Sequence, residues 1–151
     1  MATFLISTGL RNKLLGTDSL KSALAGGFIH VYGCEPADVP ASANDAIGAA
    51  HTLLLTLYGD GSANGLNLGT PTDGVISKDP GEMWSGEVLE SGTARFFRYV
   101  GSADTGASSS TEPRLQGTVA RVGGHLNLAK VDLVAGETQT LSFVAIEHAQ
   151  A

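Results

Sequence analysis

The residues best placed to do chemistry are few. Asp104-Thr105-Gly106-Ala107 spells the catalytic turn of aspartic proteases, whose two carboxylates share one proton. That turn needs an apolar strand before it and an apolar segment behind it. Here "VGSA" precedes it and "SSST" follows, so it reads as a polar loop. Asp60, Ser62, Asn64 and Gly65 match the first half of an EF-hand loop. The twelfth place, where calcium needs a bidentate Glu, is Pro71, and the match fails. His30, His51, His125 and His148 stand in no metal spacing, and Cys34 has no basic neighbour to activate its thiol. Glu87 and Glu90 lack the partners of a glycosidase pair, and "GTDSLKS" lacks the strand and the Gly-Lys-Ser/Thr ending of a phosphate loop. The reading is a non-enzymatic chain with no catalytic residue, no cofactor and no metal.

The conspicuous concentration of bulk and charge is "ARFFRYVG", residues 94–101. Neighbouring side chains of a strand point to opposite faces. Ala94, Phe96, Arg98 and Val100 share one face; Arg95, Phe97 and Tyr99 share the other. Neither face is cleanly apolar. Phe96 and Phe97 therefore enter different layers, one in the core and the other under a helix, a loop or another subunit. Tyr, Phe and Arg are also the residues that anchor protein interfaces.

The elements that must position these residues are mostly strands. "FIHVYG" (28–33), "HTLLLTLYG" (51–59), "GVIS" (74–77), "EMWSGEV" (82–88), "ARFFRYV" (94–100), "LQGTVA" (115–120), "HLNLAKVDL" (125–133) and "QTLSFVAIEH" (139–148) are bounded by Gly, Pro, Asn or Asp. In the second of these, Leu53, Leu55 and Leu57 are expected on one face. Residues 10–25 carry the one helical pattern, broken at Gly16, with Thr17, Asp18 or Ser19 as cap and Gly26-Gly27 as terminator. The spacing predicts an all-β fold, a β-sandwich or jelly-roll-like barrel of about eight strands with one or two short N-terminal helices. Residues 1–151 form one domain, with an extended or helical segment over about 1–26. Residues 33–50 and 101–113 are expected as surface loops.

Composition narrows the partners. The net charge of -6 argues against nucleic acid, which needs clustered Lys and Arg, and against anionic membranes. Charged residues are 16% of the chain, below the roughly 25% of an average domain. One cysteine forms no internal disulfide. "MATFLISTGL" is not expected to be a signal peptide.

Over "STGLRNKLLG", "SLKSALAGGFIHVYG", "GVISKDPGEMWSGEVLESGTARFFRYVG", "EPRLQGTVA" and "LNLAKVDLVAGETQTL", most of its length, the chain resembles small virion proteins encoded in the structural-gene clusters of tailed phages and prophages. The resemblance implies a virion structural protein made in the host cytoplasm. Most similar in kind are decoration (cement) proteins, which bind the major capsid protein on the shell's exterior. Tail-tube or other tail components are the alternative, and a carbohydrate-binding module is an alternative of another class. A homotrimer suits a shell's threefold points, and an acidic surface suits the exterior. Two contact surfaces are expected. Arg95, Phe97 and Tyr99 lie on an outer sheet face and join subunits. Phe4, Ile6, Leu10 and Arg11 belong to an extended N-terminal segment that reaches a neighbour or the shell.

Overall fold

Two serines start the helices. Ser7 caps α1 (Thr8–Leu15), its hydroxyl accepting from the Leu10 amide, and Gly16 ends it. Ser19 caps α2 (Leu20–Ala23) in a reciprocal box with Ser22, which satisfies two otherwise orphaned amides. In the computed structural model, which describes residues 4–141 and 144–147, Leu5–Ile6 already form a short strand, β1. The strands after the helices are β2 (Phe28–Gly33), β3 (Thr52–Leu57), β4 (Val75–Ser77), β5 (Trp84–Glu87), β6 (Gly92–Val100) and β7 (Arg114–Ala120). The last four are β8 (Leu126–Asn127), β9 (Asp132–Leu133), β10 (Thr138–Leu141) and β11 (Ala145–Glu147). His148 and residues 142–143 of the last expected strand lie outside the described residues.

The fold is all-β and sandwich-like. The main sheet runs β1-β7-β6-β2-β3, with β8 beside β7 and β9 beside β6. The pairs β5-β10 and β4-β11 build the second layer, tied to β3 through the bridges Leu55–Val88 and Tyr58–Ser85. Alternation along the main sheet places Ile29, Val31, Phe97, Tyr99 and Leu115 on the face toward this layer. There they meet Leu66, Leu68, Trp84, Leu133 and Leu141. Trp84 stands edge-on to Tyr99 with ring centroids 6.0 Å apart. Fully burying a side chain of this size stabilises the fold by roughly 1.5–3 kcal/mol.

Three expectations change. The register of β2 against β3 shifts at Val31/Tyr32, so Leu54 enters the core with Leu55 and Leu57 while Leu53 stays half-buried. A bulge breaks strict alternation in this way. Phe97 and Tyr99 do not lie on an outer face: they are 4% and 1% exposed. The N-terminal segment is not extended throughout. From Thr8 onward it is helical, and Leu10 is fully buried against the core.

Close backbone approach fixes Gly86 on β5. A Cβ there would sit 1.9 Å from the Thr56 carbonyl oxygen. Gly86→Ala is expected to destabilise the fold by about 1–3 kcal/mol, read as a lower denaturation midpoint. At Gly48 an added Cβ meets nothing within 4 Å, so Gly48→Ala is the matched control and should leave the midpoint nearly unchanged.

Candidate functional site

The second face of the main sheet is polar and still buried. Register places His30 opposite Arg98, which in turn faces Gln116, and Tyr32 opposite Phe96. Arg98, Arg114 and Gln116 are each 1% exposed. Two loops cover them. Residues 34–51 fold back over the sheet after a 3-10 turn at Pro36–Asp38, burying Pro40 and Ala43. Residues 101–113 close the other side. The loops also bond each other, the Ile47 amide donating to the Gly106 carbonyl (2.8 Å) and the Ser109 amide to that of Asn44 (2.9 Å).

Both arginines hold this cover down. Arg98 donates from Nε to the Gln116 side chain (2.8 Å), from Nη1 to the Asp45 carbonyl (2.7 Å) and from Nη2 to the Ser42 carbonyl (3.2 Å). Arg114 grips the Asp104 carboxylate with two bonds, Nε to Oδ2 at 2.5 Å and Nη2 to Oδ1 at 2.8 Å. It also donates to the carbonyls of Ala43 and Ala107. Gln116 adds a bond to the Pro40 carbonyl (2.8 Å). Asp104, the residue of the protease-like turn, is thus engaged by Arg114 and by the Gly106 amide. Phe96 is covered as well, stacked on Tyr32 at 5.1 Å and met edge-on by His51 at 5.6 Å.

Between sheet and loops lies a cleft of about 250 Å³ lined by His30, Tyr32, Ile47, Leu53, Arg98 and Asp104, among others. Burial lowers the basicity of His30, against the pull of Asp104. The Tyr32 hydroxyl is pushed up by burial, with Arg98 pulling the other way. Burial and then the charge of Arg114 bring Arg98 down to about 10. Burial alone would raise the Asp104 carboxyl. The hydrogen bonds from Arg114 and Gly106, and the charges of Arg114 and Arg98, hold it below the usual carboxylate range.

The other sequence candidates are scattered. Arg95 is exposed and lines a separate groove of about 360 Å³ with Cys34, Asp38 and Thr93. Burial pushes the Cys34 thiol up, away from reactivity. Phe4 is half-buried, its ring 4.3 Å from that of His125 and 6.4 Å from that of Phe97. Ile6 is exposed, as is Arg11, which donates to the Thr8 hydroxyl. Asp60 caps its own turn, accepting from the amides of Ser62, Ala63 and Asn64. Those bonds, the one from Ala63 foremost, hold its carboxyl at about 2. No group of three potential metal ligands forms among the described residues. The residues that sequence reasoning passed over as a set are His30, Tyr32, Arg98, Arg114 and Gln116. Their one available signal was the i, i+2 spacing of Phe96 with Arg98 and of Arg114 with Gln116.

Compared with known protein families, with curated proteins and with solved structures, the chain matches none.

Removing one member of a buried pair leaves an uncompensated charge. Asp104→Ala is expected to destabilise the fold by about 3–5 kcal/mol, measured by chemical denaturation. The pair also sets an acid limit. Asp104 binds its proton more weakly folded than unfolded, where the value is near 3.9. Its stabilisation is therefore complete above that pH and lost as the pH falls through the folded value. Wild-type stability should drop steeply below about pH 4, and Asp104→Asn should flatten that slope in a pH series of melts.

Proposed function

We propose that the chain is a non-enzymatic virion structural protein, a decoration (cement) protein that binds the major capsid protein on a phage shell's exterior and stabilises the shell. The observation that carries its docking role is the outer edge of the main sheet. There β1 pairs with β7 on one side, and its other side pairs with no strand among the described residues. Leu5 and Ile6 on it are 37% and 36% exposed. An unpaired edge with apolar side chains invites another chain to add a strand. The resemblance to small virion proteins supplies the placement, and the net charge of -6 suits an outer surface better than one lining packaged DNA.

Self-association through such an edge closes into a ring, with a trimer the expected state. The contact set is then Leu5, Ile6 and Arg11 at the N-terminal edge, with Arg95 on the surface of β6. Phe97, Tyr99 and Leu10 act indirectly, as the packing that holds these in place. In the tail-component reading the ring is a hexamer, so native mass separates the two.

Light scattering of the purified protein should give a trimer's mass, and the protein should co-sediment with phage heads stripped of their own decoration. Leu5→Asp with Ile6→Asp should reduce the particle to a monomer while the melting temperature hardly moves. A wild-type chain that stays monomeric at every concentration and ignores capsids sinks the proposal.

A further inference from the structure

Arg98 is a buried cation without a direct carboxylate partner among the described residues. Its three acceptors are a side-chain amide and two backbone carbonyls. A guanidinium carries five N–H donors, so each terminal nitrogen of Arg98 keeps one N–H with no acceptor among the described residues. The arginine beside it is in the opposite condition. Arg114 has its carboxylate, and both Asp104 oxygens are taken by Arg114 and the Gly106 amide. Two guanidiniums stand against the Asp104 carboxylate at the floor of the cleft, with the exposed Asp45 carboxylate acting on Arg98 from the loop above. Buried N–H donors are costly until an acceptor pairs with them.

The cleft beside Arg98 has the shape for such a partner. Its volume of about 250 Å³ is below the ~300–1,000 Å³ of drug-sized sites. Tyr32 lines it, and the Tyr32 hydroxyl has no hydrogen-bond partner among the described residues. The His30 ring uses Nδ1 on the Thr56 hydroxyl at 2.9 Å, which leaves Nε2. Ile47, Leu53 and Val100 give the remaining wall an apolar character. A cation with spare donors, a free hydroxyl and an aliphatic wall match one chemistry.

We infer that this cleft binds a short aliphatic carboxylate, its oxygens accepting from Arg98 and the Tyr32 hydroxyl and its alkyl tail against Leu53 and Ile47. A carboxylate suits guanidinium donors because both are planar and charge-assisted bonds between them are strong. A monoanion meets less repulsion from Asp104 and Asp45 than a dianion such as phosphate would. The bound ion would also brace the loop cover from beneath, so occupancy stabilises the fold. This inference does not depend on the docking role at β1.

The test is thermal melting of the full chain at constant ionic strength in chloride, with formate, acetate or propionate replacing chloride in steps. Acetate and propionate should raise the melting temperature saturably, propionate at the lower concentration, and neutral propionamide should do nothing. Tyr32→Phe keeps the arginine clasp intact and should weaken the half-saturating concentration about tenfold, the loss of one hydrogen bond to a charged group. Arg98→Gln should abolish the response; if that variant does not fold, Tyr32→Phe decides alone. Equal effects of chloride and carboxylates overturn the inference. So does a response to phosphate without one to acetate, or an unchanged half-saturation in Tyr32→Phe.

Discussion

A buried loop is a problem of hydrogen bonding before it is one of packing. Residues 40–45 pass over the sheet with the carbonyls of Pro40, Ser42, Ala43 and Asp45 turned toward it. Backbone groups in that position must find donors. Arg98, Arg114 and Gln116 provide them, reaching the carbonyls of Pro40, Ser42, Ala43 and Asp45. Lysine would not serve, since its three donors radiate from one point while the guanidinium presents five in a plane. Burying two cations is costly. What offsets the cost is the number of bonds each makes and the carboxylate of Asp104 placed against Arg114. The loop cover, the burial of Phe96 on that face and the cleft all depend on these side chains holding their positions.

The main sheet is consequently two-faced in an unusual sense. One face is an ordinary apolar interior. The other is also closed to solvent, but it is closed by polar chemistry. Small residues suit the cover. Ala43, 1% exposed, puts little side chain between the loop backbone and Arg114, which bonds its carbonyl. The same segment reaches helix α1, where Asn44 accepts from the Thr8 amide and donates to its hydroxyl, both at 2.9 Å. The helix, the loop and the sheet thus share one network.

Much of this was legible in the chain. β2 matches the segment read from "FIHVYG" residue for residue. Helix breakage at Gly16 followed from local chemistry, and Ser19 is the one of the three candidate caps, Thr17, Asp18 and Ser19, that starts α2. The alternation argument correctly sent Phe96 and Phe97 into different layers and left open which element covers the second. It could not choose the loop, because the covering contacts join residues far apart in sequence, such as Arg98 with Ser42 and Gln116 with Pro40. A loop rich in Ala, Ser and Pro has no periodicity that would announce a buried role. The placing of Phe97 and Tyr99 outside failed for a related reason. Their strand is central in the sheet, and a central strand between two covers has no outer face.

One serine has a reach out of proportion to its size. The Ser7 hydroxyl donates to the Glu112 carbonyl and accepts from the amides of Leu10 and Arg114, and β1 pairs with Gln116 and Leu115. The start of the chain is therefore seated by residues that a ribosome delivers more than a hundred positions later. Until those residues emerge, Leu5 and Ile6 lack their strand partner and the Ser7 hydroxyl lacks its acceptor at Glu112. Closure between such distant segments is entropically slow. Its timing makes β1 among the last pieces to settle during synthesis, after β7 has formed.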